Sequence, residues 1–265
     1  MAQRKTHSDE GRGNRMTSLS SVSGAILFGR YAFAPNRLGY CGPDDHQALL
    51  EYIASQRPDR GLLELERRFE GAYPYLCLIA QANHIADPFD KRVVEAYWIG
   101  NSYLEQVDAA RFYDSLTLRF RPRMDSRSFS WLTGKLALGA RPHHNFHVFD
   151  VYMRTGLMKD DRAAIVVETM DSCRVSWGKV IAVDGPELIV ERPKLVLIGG
   201  KFVLTEPEVV RVTRQISGLG FADQAEPGMY VSIHWDWACE VLPAAKRQRL
   251  MAATRQYILL ANQTL

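Results

Sequence analysis

The sequence predicts an α+β protein, in which an N-terminal helical domain is followed by a small OB-like β-barrel with a C-terminal helix. Three features lead there. From Gly24 to about Met124, apolar residues recur at helical spacing. After about Thr169 the texture changes to short β-branched runs, VSWGKVIAVDGPELIVERPKLVLIGGKFVL, broken at Asp184-Gly185-Pro186 and Gly199-Gly200. The run AAKRQRLMAATRQYILLAN then returns to helical periodicity, with Leu250, Ala253, Tyr257 and Leu260 in one stripe. Helices first and strands after divide the chain into a helical part, 24–165, and a barrel part, 170–265.

Taken in order, residues 1–23 are polar and Ser- and Gly-rich, with too little apolar surface to offset the entropy of ordering. They read as a disordered tail. The stretch 28–46, FGRYAFAPNRLGYCGPDDH, is dense in Gly, Pro, Asn and aromatics and reads as an ordered loop. Asp44 and Asp45 open the helix HQALLEYIASQ, whose Leu49, Leu50 and Ile53 share a face. Leu62, Leu63, Leu65 and Phe69 repeat that pattern, and YPYLCLIAQANHIA continues it. Asp87 fits an N-cap, with Pro88 at the first position of a helix that ends at Gly100-Asn101. Residues 106–119 and 126–139 give two more short helices, and RPHHNFHVFDVYM (141–153) suits a strand or a buried helix equally. MYVSIHWDW reads as one strand, on which Trp235 and Trp237 share one face and His234 takes the other.

Composition narrows the function classes. Of 265 residues, 46% are hydrophobic, enough for a core and too many for a disordered or fibrous chain. No apolar run approaches the roughly 18 residues of a membrane span. The four cysteines (Cys41, Cys77, Cys173, Cys239) are scattered with no CxxC pair, which points to free thiols in a reducing cytoplasm. A net charge of +3 is too small for a dedicated nucleic-acid binder. The arginines of TLRFRPRMDSR (117–127) are expected to form a solvated basic face, so neither nucleic acid nor membrane is an expected partner. An OB-like barrel that binds nucleic acid stays as a remote alternative. No P-loop, GxGxxG, GxSxG or zinc-finger spacing is present.

The most informative residues lie in the second half. Cys173 is followed, after four residues, by Gly178-Lys179-Val180 and an Asp184-Gly185 turn; further on comes Gly228-Met-Tyr230-Val231-Ser-Ile233-His234, then Trp237-Ala238 and a closing helix. Residues 173–262 resemble the HypC/HupF family of [NiFe]-hydrogenase maturation chaperones, which carry those motifs in that order. The resemblance implies a carrier rather than a turnover enzyme. Its cargo would be iron as the Fe(CN)2CO fragment, held at Cys173 with His234 nearby. Its partners would be the hydrogenase large-subunit precursor and a HypD-like scaffold protein. The N-terminal part, including VVEAYWIGN, is similar to an uncharacterised actinobacterial family found near hydrogenase genes.

Two further sets are candidates. His143, His144 and His147 have the spacing of a second metal site, with Asp150 as a partner that orients an imidazole. They support the alternative of a metalloenzyme whose helical domain makes or processes a diatomic ligand of the same centre. Arg30, Tyr31, Asn36, Arg37 and Cys41, with Trp235 and Trp237, form a polar-aromatic set suited to a pocket or a partner surface.

Overall fold

The computed structural model describes residues 22–152 and 163–264; the expected tail falls, through residue 21, outside the described residues. Helix α1 (Gly24–Arg37) lies at the centre of the helical part and is buried along nearly its whole circumference. The stretch 28–46, expected as a loop, is therefore helical through Arg37. Its Ala, Phe and Tyr residues all face core, Ser23 caps the first turn, and Pro35 is tolerated inside the last turns. Around α1 pack α2 (His46–Ser55), α3 (Arg60–Arg67) and α5 (Lys91–Trp98), with α4 (Tyr73–Ala82) against α5. The α5 cap is Asp90, not Asp87, whose carboxylate instead accepts from Phe89 N in the preceding turn. Gly24 makes the close approach possible, because a Cβ there would collide with the Phe89 carbonyl.

Helices α6 (Ala109–Phe120) and α7 (Ser126–Gly134) follow, each with an Asp N-cap, and α7 is shorter than the expected 126–139. The ambiguous 141–153 segment is helical from His144 through Val151, where α8 (His144–Phe146) runs into a π-turn over His147–Val151; position 153 lies outside the described residues. Next comes α9 (Ala163–Cys173), which spans the expected 165–170 divide. Of the arginines expected as a solvated face, Arg121, Arg123 and Arg127 are exposed and Arg119 is half-buried, and three of the four also lie over rings. Arg119 lies over Tyr75 at 4.3 Å, Arg121 over Phe129 at 5.3 Å, and Arg127 over Trp131 at 4.4 Å.

The β part is a mixed five-stranded sheet of β1 (Ser176–Asp184), β2 (Glu187–Arg192), β5 (Glu208–Thr213), β9 (Trp237–Val241) and β8 (Tyr230–His234), paired in that order, with β8 returning to β1. The pairs are antiparallel except β5 with β9, which meet in parallel at Thr213 and Trp237. The hairpins β3 (Leu195–Ile198) with β4 (Lys201–Leu204), and β6 (Gln215–Ile216) with β7 (Leu219–Gly220), stand apart from it. Gly178 sits where a Cβ would press on Ile233 and Val190, which explains a glycine inside β1.

The run 229–237, expected as one strand, is a hairpin. His234 pairs with Trp237, and Trp235-Asp236 form the turn with φ of 53° and 54°. Both signs match a two-residue hairpin turn, though neither residue is the usual Asn or Gly. Trp235 and Trp237 therefore do not alternate along one strand, since Trp235 lies in the turn and Trp237 opens the next strand. Trp237 points into the shared core, 5.0 Å from Phe33 and 5.1 Å from Phe221 by ring centroids. One cluster of buried side chains includes both Phe33 and Trp237, so helices and sheet have a common core, alongside a smaller one within the sheet around Val180, Val190 and Ile233. Asp171 joins the parts electrostatically: it holds Arg174 and Arg192, all three buried, and accepts from Leu195 N. Helix α10 (Ala244–Ala261) closes over α8, β1 and β4, with Leu250, Tyr257 and Leu260 buried. Among the described residues no helix is long and apolar enough to cross a membrane.

Candidate metal centre

Three side chains meet where the helical part abuts the sheet. Cys173 ends α9, His234 ends β8, and His144 opens α8. One ligand atom from each lies within 4.8 Å of the other two. Among the described residues this is the one group of three or more His, Cys, Asp or Glu arranged to hold a metal. The three residues line a cavity of about 130 Å³ with largely apolar walls, six of its lining residues being Phe, Tyr or Trp.

The sequence sets up each ligand. Pro35 has no N–H, so in α1 it cannot satisfy the carbonyl four residues earlier, which is that of Tyr31. That carbonyl instead accepts from His234 Nδ1 at 2.6 Å. A carbonyl can only accept, so Nδ1 carries the proton. Nε2 keeps its lone pair, buried and without a hydrogen-bond partner. His144 is held twice: Nε2 donates to the Cys173 carbonyl at 2.8 Å, and Nδ1 accepts from the Tyr97 hydroxyl at 3.2 Å. To ligate, His144 must exchange one of these bonds, and the longer one, to Tyr97, is the weaker. Trp98 packs against both imidazoles, with centroids 4.5 Å from His144 and 5.4 Å from His234.

Burial keeps the whole set neutral. It pushes the His234 imidazole down to about 4 and His144 well below its usual value, with neighbouring His234 adding to the shift on His144. It pushes the Cys173 thiol up to about 12, against a small opposing pull from Trp235. Thiolate and neutral imidazoles make a soft-to-borderline donor set suited to iron, copper or zinc. A metal entering here must displace the thiol proton.

A lid covers the cavity. Tyr40, 61% exposed, stacks on Trp235 with centroids 4.0 Å apart. The Trp235 backbone N–H donates to the Ser172 carbonyl, which ties the lid to the residue before Cys173. Asn36 staples the loop beneath Tyr40 by donating to the carbonyls of Cys41 and Pro43. Cys41 is open to solvent as a residue, yet it lines the cavity; crowding around its thiol, with Cys173 nearby, raises it to about 12.

The family follows from the whole length of this architecture. A family model, described as a family of unknown function (DUF6390), matches residues 20–265. The chain belongs to that family. No curated protein and no solved structure matches it. In this DUF6390 chain, then, the site is read from its own residues.

The sequence-selected residues separate as follows. Cys173 and His234 come together, and His144 joins them. His147 lines the same cavity. His143 does not take part: it is buried elsewhere, its Nδ1 accepts from Asn145 N as the cap of α8, and its ring stacks on Tyr257. A separate His143–His144–His147 site is therefore not formed, because the helix turns position 143 away from 144 and 147. Asp150 lies 4.0 Å from the buried Lys135. Of the pocket or partner set, Tyr31, Asn36 and Trp237 are buried, Arg30 and Trp235 are half-buried, and only Arg37 and Cys41 are exposed. Of that set only Cys41 and Trp235 line the cavity; Trp237 lies in the shared core instead. Sequence reasoning missed His144 as the third member, Trp98 between the imidazoles, and Pro35 as the residue that frees the Tyr31 carbonyl; the signal for the last was a proline late in a helix.

Proposed function

We propose that the chain is a cytoplasmic metal-centre carrier in [NiFe]-hydrogenase maturation, in which Cys173, His234 and His144 hold the iron fragment Fe(CN)2CO as cargo. The carrying observation is a Cys-His-His donor set in the wall of a largely apolar cavity. Its volume of about 130 Å³ is close to that of four waters at ~30 Å³ each, on the scale of three diatomic ligands around one ion. Ferrous iron with two cyanides and one CO has no net charge, so the loaded site would bear only the thiolate's charge, which a low-dielectric pocket tolerates better than a doubly charged ion. In this reading the curled sheet is an OB-like barrel that supplies His234, while α9, which leads into it, supplies Cys173. The helical part supplies His144 and the lid. The partners are the large-subunit precursor and a HypD-like scaffold.

The test is metal analysis and infrared spectroscopy of protein purified without oxygen from cells expressing a hydrogenase operon. Cyanide and CO stretching bands that vanish in Cys173→Ser are expected. Full hydrogenase activity in a Cys173→Ser strain would overturn the carrier reading, and a bound metal without those bands would favour the metalloenzyme alternative.

A further inference from the structure

A second opening adjoins the metal cavity. It is a groove of about 650 Å³ whose lining includes Arg67, Glu70, Gly71, Arg119, Arg123 and His147. Gly71 and His147 line the metal cavity as well, so they form the partition between the two spaces. The two are close neighbours: a Cβ at position 71 would stand in ordinary van der Waals contact, 3.8 Å from the His147 ring. Three arginines against one glutamate make the groove electropositive, and field lines concentrate in such a cleft.

The floor of the groove has unused hydrogen-bonding capacity. Arg119 spends Nη2 on the Glu70 carbonyl at 3.2 Å and lays its guanidinium over Tyr75, but its Nη1 is buried with no partner. His147 Nδ1 is likewise buried with no partner. Burial and the Arg119 charge both push His147 down, to about 4, so at neutral pH the positive charge on this floor is that of Arg119. A guanidinium and an imidazole with free nitrogens, side by side under a basic groove, are the groups that receive a small anion.

We infer that Arg119 and His147 form a binding site for a small monoanion, and that this site passes the anion across the Gly71–His147 partition to become an exogenous ligand of the metal held by Cys173, His234 and His144. The anion is of the linear, metal-coordinating class, such as cyanide, azide or thiocyanate, because a linear anion presents the narrowest cross-section to the partition and the cavity beyond is small, about 130 Å³. Arg119 fixes its charge and His147 offers a hydrogen bond at the boundary. The delivery step rests on the metal site proposed above; the anion site does not.

The anion site is tested on metal-free protein by titrating thiocyanate and following the side-chain nitrogens of Arg119 and His147 by NMR. Saturable shifts at both are expected, lost in Arg119→Gln. No shift, or the same binding in Arg119→Gln, would overturn the site. Arg123→Gln alters only an exposed rim residue and keeps the test sound should Arg119→Gln misfold; it should weaken thiocyanate binding about threefold through the lost field, and unchanged affinity would count against the groove. Delivery is tested on Co2+-loaded protein by stopped-flow azide binding. The on-rate should fall about tenfold in Arg119→Gln and lose most of its dependence on ionic strength. Equal on-rates would overturn delivery. Failure of Co2+ to bind would refute the metal site and delivery together, while the thiocyanate titration would still decide the anion site.

Discussion

Metal uptake should release one proton, and only one, across the neutral range. The perturbation is pH. In the metal-free site the Cys173 thiol stands at about 12, while His234 stands at about 4 and His144 well below its usual value. Between about pH 6 and pH 9 both imidazoles are already neutral, so only the thiol has a proton to lose. The apparent affinity should then rise tenfold per pH unit, about 1.36 kcal/mol each. At pH 7 the thiol lies about five units below its midpoint, so its ionisation costs roughly 7 kcal/mol, which the metal–thiolate bond must offset. The assay is competition between the protein and a chelator for Co2+, read from the thiolate-to-metal charge-transfer band at several pH values, with the chelator's own protonation accounted for. A slope of zero would refute thiolate ligation. A slope of two would show that Cys41, whose thiol is also raised to about 12, ionises with it and enters the metal's coordination.

Pro35→Ala should restore an N–H to compete for the Tyr31 carbonyl, lowering Co2+ affinity by about 10- to 100-fold while thermal stability holds or rises; unchanged affinity would remove Tyr31 from its positioning role. Asp171→Ala should cost about 3–5 kcal/mol in denaturant unfolding, because it leaves the buried Arg174 and Arg192 guanidiniums without their carboxylate. The histidines give a pH signature of stability. His143, His147 and His234 are each held down to about 4 in the fold, so the unfolded chain takes up protons first as pH falls. Their contribution is complete above about pH 6.5 and is lost between there and about pH 4, so the Tm of the metal-free protein should drop across that window; a flat Tm from pH 7 to pH 5 would contradict their burial. Tyr40→Ala removes the stack on Trp235 and should speed Co2+ loss to a chelator by about tenfold, an estimate that takes the stack as worth roughly 1–1.5 kcal/mol.

Periodicity made the helices and strands around the site legible, and it failed where the chain breaks its own rules. The 28–46 stretch looked like a loop because Pro35, Asn36 and the glycines are turn residues. In the structure, burial of Phe28, Tyr31, Phe33 and Ala34 carries the helix past those signals. The hairpin turn at Trp235-Asp236 was invisible because tryptophan and aspartate there mimic the alternation of a strand, and no Asn-Gly or Gly-Gly marks the reversal. Cys173 and His234 could be selected from their flanking motifs. His144 could not be separated from His143 and His147 without the helical phase of α8, since three histidines within five positions point in different directions once the backbone turns. Pairing of distant segments, such as α1 against β8, has no local signature in the sequence.

The position of His144 has a consequence for modularity. Its ligand partners lie on α9 and β8, so the centre is assembled from both halves of the chain, and a fragment beginning at α9 would keep Cys173 and His234 yet lack the third donor. Such a fragment would also uncover the Trp237 ring that Phe33 shields. A bound ion would therefore act as a cross-link between the halves, raising the resistance of both to unfolding and proteolysis together, in proportion to the logarithm of metal concentration over Kd. The sheet is thus not a portable unit that could be grafted onto another helical partner with the Cys-His-His set intact; the heritable unit is the pair, and recombination between α8 and α9 would break it.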